Sequence, residues 1–167
     1  MKLDNFNWKI FVFVSIFAIT SACSSDDDSP PPNTLTMDGE AFAVTTANIL
    51  GVSLDGEGHV AITLVSTDLS NTQTLTIDFD YVVGESIEGD YAYPKSGDLR
   101  LLDNWLTNYV EFQGTSSTAG SNLEEGELTV IDNGDNNYTI TMDLTMVDGK
   151  VFSGSYTGDF QVTFNNG

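Results

Sequence analysis

Two runs of strict apolar–polar alternation decide what this chain can fold into. Leu75, Ile77, Phe79 and Tyr81 share one face of an extended segment, opposite Thr74, Thr76, Asp78 and Asp80. Tyr138, Ile140, Met142, Leu144 and Met146 do the same opposite Thr139, Thr141, Asp143 and Thr145. Side chains of a strand point alternately to its two faces, so a period of two specifies strands with one buried and one wet face. No convincing helical periodicity competes with it from Asn33 onward.

Turn chemistry divides the remaining sequence at regular intervals. Asp38-Gly39 joins Thr34–Met37 to Ala41–Ala47 as a first hairpin, and Asp55-Gly56-Glu57-Gly58 precedes a strand over His59–Ser66. That strand leads through Asp68–Asn71 into Gln73–Tyr81. Asn133-Gly134 and Asp148-Gly149 bracket Tyr138–Val147, and both dipeptides readily take the positive φ of tight hairpins. Val151–Tyr156 and Phe160–Phe164 follow, with a break or bulge expected at Gly158 between them. This spacing predicts one all-β domain over residues 34–167, an antiparallel meander of roughly nine or ten strands. The pattern fits a calycin-like barrel or a sandwich and does not choose between them. Pro94 lacks a ladder donor and must stand at a strand end or edge. Leu99, Leu101, Leu102, Trp105 and Leu106 suit a strand or a single helical turn, and Ser/Thr-rich Gly114–Gly126 is expected to be a mobile loop.

Charge removes whole classes of function. The chain carries 25 Asp plus Glu against five Lys plus Arg, a net −20. A nucleic-acid binder needs a basic face to neutralise phosphates, which five basic residues cannot supply. One cysteine excludes an intrachain disulfide. An apolar content of 40% fits a folded domain over a disordered one.

The N-terminal segment reads as an address. Lys2 and Lys9 flank or precede Ile10–Thr20, an apolar run shorter than the about 20 residues that span a bilayer, as in the n- and h-regions of a secretory signal. Thr20-Ser21-Ala22-Cys23 resembles the lipobox of bacterial lipoproteins, although Thr20 stands where Leu is commonest. The resemblance implies a signal helix over residues 1–22 and a lipidated, membrane-anchored Cys23. The alternative is an ordinary secretory signal that leaves a free thiol. Residues 23–33 form an acidic, proline-rich tether with nothing to bury, expected to stay disordered and solvated. Within it, Ser24, Ser25, Asp26, Asp27 and Asp28 resemble the surface-export signal of Bacteroidota lipoproteins, which implies the outer membrane and the cell surface. The competing reading is a generic solvated linker.

A second resemblance lies near the other end. Glu127–Val130, Tyr138–Thr145 and Asp148–Gly158, with its Gly-Ser-Tyr-Thr-Gly step, are similar to the C-terminal strands of small β-domain lipoproteins of Bacteroidota. That family implies a fold and a location and no activity.

Candidate chemistry is sparse. His59 is the only histidine, and alternation places it with Ala61 and Thr63 on the wet face, a solvated strand-end position. Asp78 and Asp80 share one face about 7 Å apart, which suits glycoside hydrolysis but is cheap in so acidic a chain. No apolar neighbour on their own face is expected to raise either pKa. With one His and a lipidated Cys, zinc is poorly served. Asp132 and Asp135 are weak Ca²⁺ candidates in a turn that demands such residues anyway. Trp105, with Tyr91, Tyr93 and Tyr109 near it in sequence, offers a platform for sugars, against which stands core packing beside Leu101, Leu102 and Leu106, the favoured expectation. The reading is therefore a lipid-anchored surface domain, not an enzyme and without cofactor, partnered by the membrane and by an unspecified glycan, protein or small molecule. A calycin-like barrel holding an apolar ligand and a carbohydrate-binding accessory lipoprotein are its alternatives.

Overall fold

The computed structural model describes residues 33–54, 57–82 and 84–166. Cys23 and the Ser24–Asp28 segment, like the signal helix and most of the tether, lie outside the described residues. Among the described residues the chain is all-β and has twelve strands. They are β1 (Thr36–Met37), β2 (Glu40–Ala41), β3 (Thr46–Leu54), β4 (Glu57–Thr67), β5 (Asn71–Tyr81) and β6 (Gly89–Tyr93). Then come β7 (Arg100–Leu101), β8 (Asn108–Gln113), β9 (Ser116–Gly134), β10 (Asn137–Met146), β11 (Val151–Asp159) and β12 (Gln161–Asn166).

Hydrogen bonding follows a continuous path, β12-β3-β4-β5-β8-β9-β10-β11-β1-β2, with β6 beside β9 and β7 beside β6. Most neighbours are antiparallel, as short connections require. The exceptions are β12, parallel to β3, and β7, parallel to β6. The path ends on β12 and β2 and does not close into a barrel. β9 connects the two halves: its first residues pair with β8, and its later ones lie between β10 and β6.

Alternation places the core as the sequence requires. Leu75, Ile77, Phe79 and Tyr81 are buried, as are Tyr138, Ile140, Met142, Leu144 and Met146. Both sets join one apolar cluster that also takes in Leu35 and Phe42 from the first hairpin. Its centre is filled with rings. Phe152 lies 5.4 Å from Tyr109 and 5.6 Å from Phe42, and Phe79 lies 4.1 Å from Tyr91. Side chains of this size meeting at the centre occupy the space a calycin-like barrel would keep for a ligand.

Three expectations need correction. Residues of Gly114–Gly126 expected to form a loop instead open the nineteen-residue β9. Ser, Thr, Gly and Asn on both faces gave no alternating apolar signal, yet the backbone pairs from Ser116 to Asn122 with β8. The β9–β10 hairpin turns at Asp135-Asn136, both at positive φ, one step beyond the Asn133-Gly134 pair. Trp105 leaves the core altogether, as described below. Pro94 stands directly after β6, at the strand end its missing donor dictates.

The Gly-Ser-Tyr-Thr-Gly step has a packing explanation. Gly154 sits at φ +108°, and a Cβ there would lie 2.3 Å from the Thr34 carbonyl oxygen. The segment entering β1 crosses β11 at that point, where the Thr34 N–H donates to the Ser155 carbonyl at 2.9 Å. Gly158 leaves room for the Tyr156 ring, which also meets Phe160 edge-on at 5.6 Å. The motif is a seam of the fold.

Candidate functional site

On the outer face of the half formed by β3, β4 and β5, the register sets His59 directly opposite Asp80 and Ala61 opposite Asp78. The His59 Nδ1 lies 3.3 Å from Asp78 Oδ1 and 3.3 Å from Asp80 Oδ1. His59 is thus on the wet face and half exposed, as alternation predicts, but it is embedded among carboxylates.

Asp78 departs from the expectation of a solvated residue, being only 7% exposed. The cause is a turn, one of the two forms expected of the Leu99–Leu106 segment, whose place against β5 the sequence did not reveal. β8 pairs with β5 only as far as Thr76, so the edge of β5 beyond it is free for another element. Asp103–Thr107 fills it as one helical turn, closed by the Thr107 N–H donating to the Asp103 carbonyl at 2.9 Å. The Asp103 N–H donates to the Asp78 carbonyl at 2.9 Å, and the Asp78 N–H donates to Thr107 Oγ1 at 2.9 Å. The buried Thr107 hydroxyl donates in turn to the Asp78 carbonyl at 3.3 Å. This cover desolvates the Asp78 carboxyl and pushes it up to about 6, against the pull of the His59 hydrogen bond and charge, with Asp103 and Asp80 adding to the rise. The covering turn and its Asp103 lie outside the same-face pattern that alternation reads, whereas Asp80 belongs to that pattern.

Asp103 itself is fixed. One carboxylate oxygen, Oδ1, accepts the N–H groups of Trp105 and Leu106, both at 2.8 Å. One ligand atom each from His59, Asp78 and Asp103 lies within 4.8 Å of the others. No Lys or Arg pairs with Asp78, Asp80 or Asp103 among the described residues.

The same turn carries Trp105, which is 79% exposed. Its N–H is held by Asp103, and its carbonyl accepts from Asn122 Nδ2 at 2.6 Å. Leu101 and Leu106 are also exposed, leaving Leu102 as the member of that group in the core. Trp105 borders an open cleft of about 480 Å³ shared with Asn104, Ser121, Asn122, Val147 and Asp148. Its predicted aromatic companions do not join it. Tyr91 and Tyr109 are fully buried, their hydroxyls donating to the Ile87 carbonyl at 2.7 Å and to Glu111 Oε2 at 3.2 Å. Tyr93 lines a different cleft, with Glu125, Glu127 and Asp143.

Asp132 and Asp135 serve their turn. Asp132 Oδ1 accepts the Gly134 N–H at 2.8 Å, and Asp135 supplies a positive φ of 52°. The group of metal-capable side chains that the described residues bring together does not include them. Comparison with protein-family models, with curated proteins and with solved structures gives no match.

Proposed function

We propose that this chain is a lipid-anchored, non-enzymatic β domain displayed on the outer-membrane surface, where it binds a ligand through Trp105. The anchoring part rests on Cys23 behind the apolar Ile10–Thr20 run and ahead of Asp26–Asp28. The binding part rests on one observation: a large aromatic side chain, 79% exposed, on a turn whose backbone is tied down on both sides. A solvated tryptophan held rigidly loses little entropy when a ligand covers it. Amide, hydroxyl and carboxylate groups of Asn104, Asn122, Ser121 and Asp148 share its cleft. An apolar face beside such hydrogen-bonding groups favours a sugar ring as the occupant. An apolar ligand inside the fold has less in its favour, because the centre is filled by Phe152, Tyr109 and Phe79.

Two measurements test this reading. Cys23→Ala is expected to move the protein from the membrane to the soluble secreted fraction; unchanged membrane partition defeats the anchor. Calorimetric titration of cell-surface polysaccharides is expected to give saturable binding that Trp105→Ala abolishes. Binding unaffected by Trp105→Ala defeats the platform.

A further inference from the structure

We propose that His59, Asp78 and Asp103 form a binding site for a divalent transition-metal ion of the Zn²⁺ or Mn²⁺ type. The donors are one imidazole nitrogen and two carboxylates from three separate elements, β4, β5 and the Asp103–Thr107 turn, with ligand atoms within 4.8 Å of one another. A mixed nitrogen and oxygen set of this kind suits borderline first-row cations, whereas Ca²⁺ prefers six to eight oxygens.

Three observations beyond the clustering point to a cation. First, His59 Nδ1 stands 3.3 Å from both Asp78 Oδ1 and Asp80 Oδ1. A single ring N–H cannot serve two carboxylates well, and charge-assisted bonds of this type close to about 2.7–2.9 Å. Two donors held about 2.1 Å from a common ion are about 3.0–3.4 Å apart, the spacing seen between His59 and Asp78. Second, the Asp78 carboxylate is nearly buried, and three acids face one imidazole with no Lys or Arg partner among the described residues. Even a protonated His59 would leave this cluster negative, and a cation compensates both the repulsion and the desolvation. Third, the donors are positioned before any ion arrives. Asp103 is clamped through Oδ1 by two backbone N–H groups, which leaves Oδ2 for another partner. The turn that carries it is fastened to the backbone of Asp78 through both N–H and carbonyl. Asp80, 66% exposed, adds a carboxylate at the open side. The proposal does not depend on what Trp105 binds or on the lipid anchor.

Because His59 is the only histidine, its imidazole resonances report this site without ambiguity. The experiment is titration of ZnCl₂, MnCl₂ and CaCl₂ into the full-length protein, prepared without a polyhistidine tag and freed of metal by chelation. Calorimetry and imidazole NMR are recorded in parallel. One Zn²⁺ site of micromolar or tighter affinity is expected, with the His59 signals shifting or exchanging at one equivalent and broadening selectively with Mn²⁺. His59→Ala and Asp103→Asn are each expected to weaken Zn²⁺ at least tenfold. Asp78→Asn removes a poorly solvated charge, so it should keep the fold and still lose the site. Retained affinity in His59→Ala overturns the proposal. So do several weak, equivalent sites of the sort general acidity would give, Ca²⁺ binding as tight as Zn²⁺, or His59 resonances that do not respond.

Discussion

Substituting Gly154 by Ala tests the seam between β11 and the entering N-terminal segment. The added Cβ would sit 2.3 Å from the Thr34 carbonyl oxygen, 2.8 Å from its carbon and 3.2 Å from the Leu35 Cα. All three atoms are backbone, so no side-chain rotation relieves the contact. The residue also stands at φ +108°, a region that costs an L-residue roughly 1–2 kcal/mol. Displacing the backbone of a well-packed segment costs about 1–3 kcal/mol more. The sum, about 3 kcal/mol, is a large share of the ~5–15 kcal/mol that holds a domain together. For a domain of this size it lowers Tm by roughly 10 °C. Two companions calibrate the result. Gly149 also has a positive φ, +87°, but nothing lies within 4 Å of its Cβ position, so Gly149→Ala should lose only about 1 kcal/mol. Gly158→Ala meets the hydroxyl end of Tyr156, a side chain that can swing away, and should cost less than Gly154→Ala. Urea and thermal unfolding followed by far-ultraviolet circular dichroism would rank the three. Equal losses for Gly154→Ala and Gly149→Ala would refute the close approach of Thr34 and leave only backbone conformation to explain the glycine.

Further outcomes follow from the core and the surface. Phe152→Ala removes a fully buried ring packed on Phe42 and Tyr109, and a loss of about 3–5 kcal/mol is expected in denaturant unfolding. Lys150 Nζ donates to Asp148 Oδ2 at 2.8 Å, which lowers the Asp148 pKa and raises that of Lys150. The depressed acid contributes above its ordinary pKa and loses that as pH falls, and the raised base contributes below its own and loses that as pH climbs. Asp148→Asn should therefore cost ~0.2–1 kcal/mol at neutral pH and converge on the parent at low pH, measured as Tm across a pH series. In hydrogen exchange, the β8-bonded amides of Ser116–Asn122 should be protected well above the level of the Asp148-Gly149 turn. Protection no better than the turn would restore the loop.

Much of the architecture was legible because buried strands advertise themselves. Leu75–Tyr81 and Tyr138–Met146 alternate so strictly that their core faces could be named residue by residue, and every apolar residue on those faces is buried. Ser116–Asn122 carries no such mark, since a strand with polar residues on both faces looks like a loop until its partner is known. The site was hidden for a related reason. Alternation correctly put His59, Asp78 and Asp80 on one outer face but assumed that face to be bare. The bond from the Asp103 N–H to the Asp78 carbonyl, across twenty-five residues of sequence, is what covers it. Trp105 was misjudged because the leucines around it suggested burial, whereas the Asp103 side chain caps the turn and directs its tip outward. An Asp followed by a short turn in front of a strand was the available signal.

The parallel pairing of β12 with β3 bears on when this domain can become folded. Strand β12 docks at Asn48–Ser53, more than a hundred residues earlier, while β11 receives Thr36 and Met37 at Ser153 and Phe152. Both ends of the sheet path are thus completed by the final two strands. A chain without Val151–Asn166 keeps the β1–β2 and β3–β4 pairings but lacks the second neighbour of β1 and of β3. Contacts of such long sequence separation form slowly and late. Until then the sheet path is incomplete beside both β3 and β1, so native packing of the two sheet ends waits on the last two strands.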